Sequence, residues 1–244
     1  MLGVMGGMGP AATADFFAKL IEETPASCDE DHIPTLIVSD PRLPSRPAAI
    51  LDNGPSPLPA LRAIRDKLLA AGATLLAMPC NTAHYWYHDL VRDCAVPFIS
   101  IVESSCAAVA QIAAPRSSVG LIGTRATLAA GIFDRQLAAS GYPVVLPSEE
   151  ELAKAILPSI RLVKEGRAVQ AGETLAPAVQ ALLDRGAAAV ILACTETPVA
   201  LDAIGSPLRA RCVDSNRALA KACVARWFAR DGQRAGQSAA LRSA

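Results

Sequence analysis

The stretch Gly72-Ala-Thr-Leu-Leu-Ala-Met-Pro-Cys80-Asn81-Thr82 has a counterpart in the second half of the chain, Gly186-Ala-Ala-Ala-Val-Ile-Leu-Ala-Cys194-Thr195-Glu196. In each copy an apolar run of strand length leads from a glycine to a cysteine, and a polar turn follows. Another pair of segments agrees with this duplication, Gly3-Val-Met-Gly6 and Gly120-Leu-Ile-Gly123. A duplicated unit predicts two related lobes whose equivalent loops face one cleft, with the two thiols across it.

Short apolar runs alternate with helical patterns along both halves of the chain, which predicts parallel sheets covered by helices on both faces. We therefore expect an α/β fold with two pseudo-symmetric lobes, each a mainly parallel sheet flanked by helices, and an active site in the cleft between them. The predicted strands cover residues 2–5, 35–39, 74–78, 98–101, 119–122, 143–146, 188–193 and 212–214. The predicted helices cover residues 12–23, 57–71, 102–113, 126–140, 149–164, 169–185 and 215–230.

The same pattern predicts the division of the chain. Residues 1–97 form the first lobe, with the segment 213–230 packing back on it, and residues 98–212 form the second lobe. Residues 231–244 are rich in Gly, Ser, Gln and Arg and are predicted to be a flexible tail.

Charge and hydropathy exclude several classes of partner. The 23 basic and 23 acidic residues balance, so nothing favours a nucleic-acid partner. No run free of charged residues and histidine reaches the roughly 18 residues that a membrane span needs, and the first residues lack the cationic region of a signal peptide. The sequence therefore predicts a cytoplasmic protein.

Seven cysteines without a C-x-x-C pair favour neither a disulfide framework nor a structural zinc site. Those outside the two motifs are expected to be mostly small buried hydrophobes: Cys28, Cys94, Cys106, Cys212 and Cys223.

The first motif, Pro79-Cys80-Asn81-Thr82-Ala83-His84, favours a reactive thiol. A strand that ends at Cys80 and turns into a helix places the thiol near unpaired backbone N–H groups, which lower a thiol pKa and hold carboxylates. Asn81 and Thr82 add side-chain donors, and His84 is a candidate for tuning the thiol. The structural alternative is a buried cysteine before a capped helix.

The second motif repeats this arrangement with Cys194. Thr195 can donate to a substrate carboxylate. Glu196 can accept from a substrate ammonium group, or act as a first-turn acid of a helix. Recurrence at the same position after a strand favours a catalytic pair over two structural cysteines.

Other segments near the predicted cleft suggest anion binding. The loop Gly6-Gly7-Met8-Gly9-Pro10-Ala11-Ala12 contains G-x-G-x-x-A, the outline of a dinucleotide fingerprint. Pro10 removes an N–H group that a pyrophosphate would use, and a glycine-rich lip for a small anion is the alternative. Arg42 and Arg46 lie in the proline-rich stretch 40–47, predicted to be a stiff loop. Arg46 is the better carboxylate ligand of the two, and Arg42 the better candidate for a surface residue. Lys164 by default is a helix C-terminal cation.

Taken together, these motifs resemble the aspartate/glutamate racemase family, the cofactor-independent amino-acid racemases, from Gly3 to about Arg226. The markers are Gly6-Gly7-Met8-Gly9-Pro10, Pro79-Cys80-Asn81-Thr82-Ala83-His84, Gly120-Leu-Ile-Gly-Thr124 and Cys194-Thr195-Glu196. The resemblance implies no pyridoxal phosphate, no metal and a homodimer. It also implies that Cys194 takes the α-proton from the L-enantiomer and Cys80 from the D-enantiomer.

The resemblance further implies the residues that hold the substrate. Arg46 and Lys164 resemble the pair of cations that grip the side-chain carboxylate in the aspartate-preferring branch. The other implied substrate-binding positions are Met8, Asn81, Thr82, Thr124, Thr195 and Glu196. The chain departs from the family pattern in Ser45-Arg46-Pro47, where Asp-Arg-Thr is usual, and in Ala193, where Gly is common before the second cysteine.

The sequence therefore predicts a two-base racemase for a small acidic amino acid, aspartate before glutamate. One alternative is a related superfamily enzyme, a hydantoin racemase, maleate isomerase or malonate-type decarboxylase. The other is a non-catalytic protein that binds a small anion or a nucleotide.

Overall fold

Two four-stranded parallel sheets form the centre of the fold in the computed structural model, which describes the backbone of residues 1–242 and the side chains of residues 1–229. The first sheet contains β1 (Leu2–Gly6), β2 (Thr35–Ser39), β3 (Leu75–Ala77) and β4 (Phe98–Ile99). The second contains β5 (Val119–Gly123), β6 (Val144–Val145), β7 (Ala189–Ala193) and β8 (Cys212–Asp214). Each predicted strand is present, and its ends differ from the prediction by at most two residues.

The two sheets share one topology. The strand order is β2-β1-β3-β4 in the first and β6-β5-β7-β8 in the second. In both sheets the second and third strands in this order are central and carry the repeated motifs, with Leu2 opposite Leu75 and Val119 opposite Ala189. This confirms the predicted α/β fold of two related parallel sheets. Because all strands are parallel, the residues that follow β1, β3, β5 and β7 emerge at the carboxyl edges, where ligands bind in such folds.

Helices cover the sheets. Their bounds are α1 (Pro10–Glu23), α2 (Arg46–Leu51), α3 (Leu58–Ala70), α4 (Tyr87–Val91), α5 (Ile101–Val109), α6 (Arg125–Ala129), α7 (Ile132–Ala139), α8 (Glu149–Glu151), α9 (Leu157–Lys164), α10 (Ala168–Asp184), α11 (Glu196–Ala203) and α12 (Ser215–Arg242). Short 3-10 turns cover Asp29–Asp31, Thr82–Trp86 and Pro207–Arg211, and a π turn covers Leu152–Ile156. No helix among the described residues is both long and apolar enough to cross a membrane.

Two helices predicted as continuous are interrupted. The segment 126–140 divides into α6 and α7 at Gly131, whose φ of 60° is left-handed and ends a helix. The segment 149–164 contains the π turn before α9, where Pro158 occupies the first turn. Proline has no N–H group to donate and its ring clashes with the carbonyl of the preceding turn, so the helix widens there.

The prediction of a loop throughout residues 40–47 was wrong at its end, because helix α2 begins at Arg46. The Ser45 side chain caps this helix by accepting from the Ala48 N–H at 3.3 Å. Pro47 lies in the first turn, where a helix needs no N–H donor. Helix α2 thereby fixes the position of Arg46.

Helix α12 connects the two sheets. It follows β8 of the second sheet directly and packs against α1 and α5. Leu219 and Cys223 of α12 share one buried core with Phe16 and Leu20 of α1. The lobe boundaries stay a prediction. The predicted tail, residues 231–244, lies outside the residues whose side chains the structure describes.

Cysteines outside the motifs follow the prediction in part. Cys106, Cys212 and Cys223 are buried and Cys94 is half-buried. Cys28 is exposed, so its assignment to the core was wrong. It directly precedes the surface turn Asp29–Asp31, whose residues are exposed.

Candidate active site

One narrow cavity lies at the carboxyl edges of both sheets. Its volume is about 80 Å³, far below the 300–1,000 Å³ typical of sites for drug-sized ligands, so it suits a small molecule. Every residue that the sequence analysis assigned to the site lines it: Met8, Arg46, Cys80, Asn81, Thr82, Thr124, Lys164, Cys194, Thr195 and Glu196. A larger groove of about 700 Å³ between α5 and α12 is lined by neither motif cysteine.

The first thiol is positioned by the end of β3. Pro79 has no N–H group to continue the ladder of the sheet, and the Cys80 N–H bonds the carbonyl of Met78 at 2.8 Å. The Cys80 side chain is buried. Burial raises the pKa of the Cys80 thiol, and the charge of Arg46 and the N–H of Ala83 oppose this rise. The prediction of a lowered pKa was wrong, because desolvation outweighs the field of the turn.

The second thiol is positioned by the start of α11. The hydroxyl of Thr197 donates to the carbonyl of Cys194 at 2.7 Å and closes the first turn. The thiol of Cys194 donates to Oε2 of Glu196 at 3.0 Å. Burial raises the pKa of Cys194 well above its ordinary value, and the negative charge of Glu196 raises it further.

The Glu196 carboxylate forms several polar contacts with residues of the cleft. Its Oε2 also accepts from the hydroxyl of Thr195 at 3.2 Å, and its Oε1 lies 3.6 Å from Nζ of Lys164. The carboxylate is buried, whereas the Lys164 side chain is 61% exposed at the cavity mouth. Glu196 therefore has three partners within the protein, including the second thiol.

The two thiols differ in their electrostatic surroundings. Beyond burial, Cys80 is influenced by the Arg46 guanidinium and the Ala83 N–H, which favour a thiolate, and less by the charge of Glu196, which opposes one. Cys194 faces a carboxylate, which favours the protonated thiol. The folded protein thus distinguishes two cysteines that the duplication makes equivalent in position.

His84 contacts the backbone of the first motif. Its Nδ1 lies 2.8 Å from the Cys80 carbonyl oxygen, and its Nε2 accepts from the Ile101 N–H at 3.0 Å. These contacts identify the neutral Nδ1–H tautomer, and burial lowers the pKa of His84 to about 4. His84 therefore ties the Cys80 turn to the start of α5.

A cluster of hydroxyl groups joins the two lobes beside the cavity. Thr82 lies 2.7 Å from Thr127, and Thr124 lies 2.9 Å from Thr127, in each case between Oγ1 atoms. Thr127, which is buried behind the cavity wall, was not predicted, because it belongs to no motif. The cluster places the Thr82 and Thr124 hydroxyls on one side of the cavity.

The two arginines that follow β2, Arg42 and Arg46, lie in different surroundings. Arg46 donates through Nη1 to the carbonyl oxygens of Leu43 and Pro44, at 3.3 and 3.0 Å, and lines the cavity. Arg42 pairs with Asp40 at the surface and is 87% exposed. Arg46 is therefore the arginine that the site includes.

The glycine-rich turn after β1 is tied to its own helix. The Gly7 N–H donates to the Thr13 hydroxyl at 2.9 Å, so it is not available to a phosphate.

Among the described residues, no group of three or more His, Cys, Asp or Glu side chains is placed to hold a metal ion.

Comparison with known proteins gives a consistent result. The family model for Asp/Glu/hydantoin racemase matches residues 5–223. The chain is 29% identical over 236 residues to the broad specificity amino-acid racemase RacX of Bacillus subtilis, covering 94% of this chain and 99% of the relative.

Solved structures agree with the family match. The aspartate racemase of Picrophilus torridus has 31% sequence identity and a TM-score of 0.77, with 90% of both chains covered. The glutamate racemase isoform RacE1 of Bacillus anthracis shares the fold, with a TM-score of 0.69 and 18% identity over 94% of this chain and 82% of that one.

Proposed function

The chain belongs to the Asp/Glu/hydantoin racemase family, and we propose that it interconverts the D- and L-enantiomers of aspartate with Cys80 and Cys194 as an acid–base pair. Amino-acid racemase activity is what the family match and the racemases above support. The observation that carries the two-thiol proposal is that both buried cysteines line one small cavity, each after a central strand of its sheet.

The reaction conserves one proton between the two thiols. In the D-to-L direction the Cys80 thiolate takes the α-proton, and the Cα–H electron pair passes into the enolate of the substrate carboxylate. Cys194 then donates its thiol proton to the opposite face of Cα. The enzyme is left with a Cys80 thiol and a Cys194 thiolate, the reverse of its starting state. Each positioned acid or base typically contributes about 10²–10⁴-fold to the rate.

The surroundings of the thiols favour Cys80 over Cys194 as the thiol that loses its proton first, although burial raises the pKa of both. Arg46 and the Ala83 N–H favour a negative sulfur at Cys80, whereas Cys194 has the Glu196 carboxylate as acceptor for its proton. With the directions that the family resemblance implies, the form with a Cys80 thiolate accepts the D-enantiomer. Conversion of the L-enantiomer first requires the proton to move from Cys194 to Cys80.

Aspartate is favoured by the cations at the cavity. Arg46 and Lys164 both line it, and both are suited to a side-chain carboxylate. The hydroxyls of Thr82 and Thr124 supply donors for the α-carboxylate and for the charge that develops on it in the enolate. The proposed steps use only groups of the protein and need no cofactor.

A broader amino-acid specificity is the second candidate. The match to the broad specificity racemase RacX extends over nearly all of both chains. Lys164 also lies within ion-pair distance of Glu196, so it does not face the cavity as an unpaired charge. We further propose a cytoplasmic homodimer, which light scattering after size-exclusion chromatography would test.

The proposal is tested by α-proton exchange in D₂O, followed by NMR under reducing conditions without pyridoxal phosphate. D- and L-aspartate, D- and L-glutamate, and D- and L-alanine are assayed separately. Exchange with both enantiomers of aspartate alone supports the proposal, and equal exchange with alanine supports the broad alternative. An absence of exchange with all six would contradict racemisation of these amino acids and favour another reaction of the superfamily.

A further inference from the structure

Asn81, directly after the first thiol, has only one end of its amide engaged. Its side chain is 3% exposed and lines the cavity. The amide Nδ2 donates to Oγ of Ser215 at 3.0 Å. The amide Oδ1 has no hydrogen-bond partner within the described part of the chain and no exposed surface. A buried acceptor without a partner loses the hydrogen bonds that water would give it, so this oxygen calls for a donor.

Ser215 determines which end of the Asn81 amide remains unpaired. This fully buried serine is the first residue of α12, immediately after β8. Its Oγ lies 2.9 Å from the carbonyl oxygen of Leu192 in β7. A carbonyl can only accept, so the single hydroxyl proton goes to Leu192. Ser215 must then accept from Asn81, and only the NH₂ end of that amide can donate.

This assignment of protons fixes the amide of Asn81 without reference to a ligand. Ser215 takes one of the two hydrogens of the NH₂ group, and Oδ1 is the atom of the amide that has no partner in the described part of the chain. Aspartate has one group that donates strongly, its ammonium, because both of its carboxylates are acceptors. A carboxylate bound by Asn81 would use the second N–H of the NH₂ group and would leave Oδ1 unpaired.

We propose that Ser215 is a positioning residue that orients the Asn81 amide so that Oδ1 accepts a hydrogen bond from the substrate ammonium group. The inference rests on the proposed racemase function. It also explains how the ammonium is held when the Glu196 carboxylate already has three partners within the protein.

The same hydrogen bonds connect the two cysteine motifs. Asn81 is adjacent to Cys80 on the first sheet, and Leu192 lies in β7, two residues before Cys194. Ser215 joins these segments through one hydroxyl. Its removal releases the amide of Asn81 and also leaves the Leu192 carbonyl without this donor.

The test compares Ser215→Ala with Ser159→Ala. Ser159 is a matched control because its buried hydroxyl also donates to a backbone carbonyl, that of Ile156 at 2.8 Å, away from the cavity lining. For the substrate identified by exchange, we expect Ser215→Ala to lower kcat/KM for both enantiomers about 10- to 100-fold, as for loss of a hydrogen bond to a charged group. Inhibition by succinate or glutarate, which lack the ammonium, should be unchanged. Ser159→Ala should affect neither quantity.

Three results would overturn the inference. They are wild-type kinetics in Ser215→Ala, an equal weakening of amino acid and dicarboxylate, and a loss confined to the dicarboxylate. If Ser215→Ala does not fold, Asn81→Ala is expected to show the same selective loss of amino-acid turnover. Weaker succinate binding in Asn81→Ala would instead identify Asn81 as a carboxylate donor and contradict the proposal.

A second readout separates this inference from the proposed function. The side-chain NH₂ protons of Asn81, assigned by NMR through Asn81→Ala, should exchange slowly with solvent in wild-type protein and in Ser159→Ala. They should exchange faster in Ser215→Ala. An absence of wild-type racemisation refutes the proposed function, whereas unchanged Asn81 amide exchange in Ser215→Ala refutes the orientation by Ser215.

Discussion

The thiol of Cys194 donates a hydrogen bond to Oε2 of Glu196 across 3.0 Å, within a buried part of the cleft. The carboxylate lies two residues after the thiol, at the start of α11, so local helix geometry places it there. Cys80 has no carboxylate in the corresponding place, since Thr82 occupies it. The hydrogen bond between Cys194 and Glu196 therefore makes the two proposed acid–base groups chemically unequal.

Glu196→Gln is expected to make Cys194 more reactive. The substitution removes the negative charge that raises the pKa of Cys194, so more thiolate forms at a given pH. Alkylation of Cys194 by iodoacetamide at pH 8, measured by peptide mass spectrometry, should accelerate on the order of tenfold. Glu173→Gln, an exposed position on α10, is the control and should leave the rate unchanged. An unaltered rate in Glu196→Gln would show that the carboxylate does not act on this thiol.

Cys80→Ser and Cys194→Ser should each reduce racemisation in both directions by about 10²–10⁴-fold, because every turnover needs one thiol as base and the other as acid. Cys106→Ala removes a buried cysteine outside the cavity and serves as control, with wild-type kcat expected. The assay is the change in optical rotation of each enantiomer. Full activity in either serine variant is incompatible with the two-base scheme.

Lys164→Met is expected to raise KM for aspartate about tenfold and to leave KM for alanine nearly unchanged, because only aspartate has a distal carboxylate for the cation. Lys154→Met is the control, since Lys154 forms an exposed pair with Glu150 outside the cavity. Equal effects of Lys164→Met on the two amino acids would assign Lys164 to its pairing with Glu196 rather than to substrate choice.

Protonation of buried His84 is expected to lower the stability of the protein at acid pH. Burial holds its pKa at about 4 in the folded protein, below the ordinary value of 6.5. The unfolded chain binds more protons between these values, so stability is full above pH 6.5 and falls as pH decreases towards 4. At pH 5 the loss is about 2 kcal/mol. Urea unfolding at pH 7 and pH 5 should show this extra loss in wild-type protein and not in His84→Gln. Equal pH dependence of the two proteins would contradict it.

Lys19 holds two carboxylates in a buried network. Its Nζ lies 2.7 Å from Asp15 and 2.8 Å from Asp214, and its side chain is 6% exposed. Lys19→Met should lower the free energy of unfolding by about 3–5 kcal/mol, because the buried Asp214 and the half-buried Asp15 lose the cation that they share. The exposed pair lost in Lys154→Met should cost less than about 1 kcal/mol. Comparable losses in the two variants would show that burial of this network adds nothing.

Much of the fold and cavity follows from local sequence patterns. The strands were predicted because short apolar runs bounded by turn residues lie in parallel sheets buried on both faces. The two cysteine motifs were expected at one cavity because the carboxyl ends of parallel strands bring their loops together. Other cavity residues were expected from the family resemblance alone: Met8, Thr124 and Lys164. The interruptions at Gly131 and before α9 were missed, since apolar periodicity continues across both.

Contacts between distant segments could not be predicted in this way. Ser215 reaches Asn81 from 134 positions along the chain, and Thr127 reaches Thr82 from 45. Neither Ser215 nor Thr127 belongs to a motif. The pKa of Cys80 was predicted in the wrong direction because its dominant cause is burial. Burial depends on the packing of both lobes and not on the turn that carries the thiol.

The path of helix α12 has a consequence for protein synthesis. Its buried residues Leu219 and Cys223 share a core with Phe16 and Leu20 of α1, near the opposite end of the chain. Domains generally fold as they leave the ribosome, from the amino terminus onwards. Here the apolar face of α1 lacks its contacts with α12 until residues beyond 215 have emerged. The nascent first lobe therefore carries exposed apolar surface for most of its translation, and a chaperone that binds such surface would engage the α1 face.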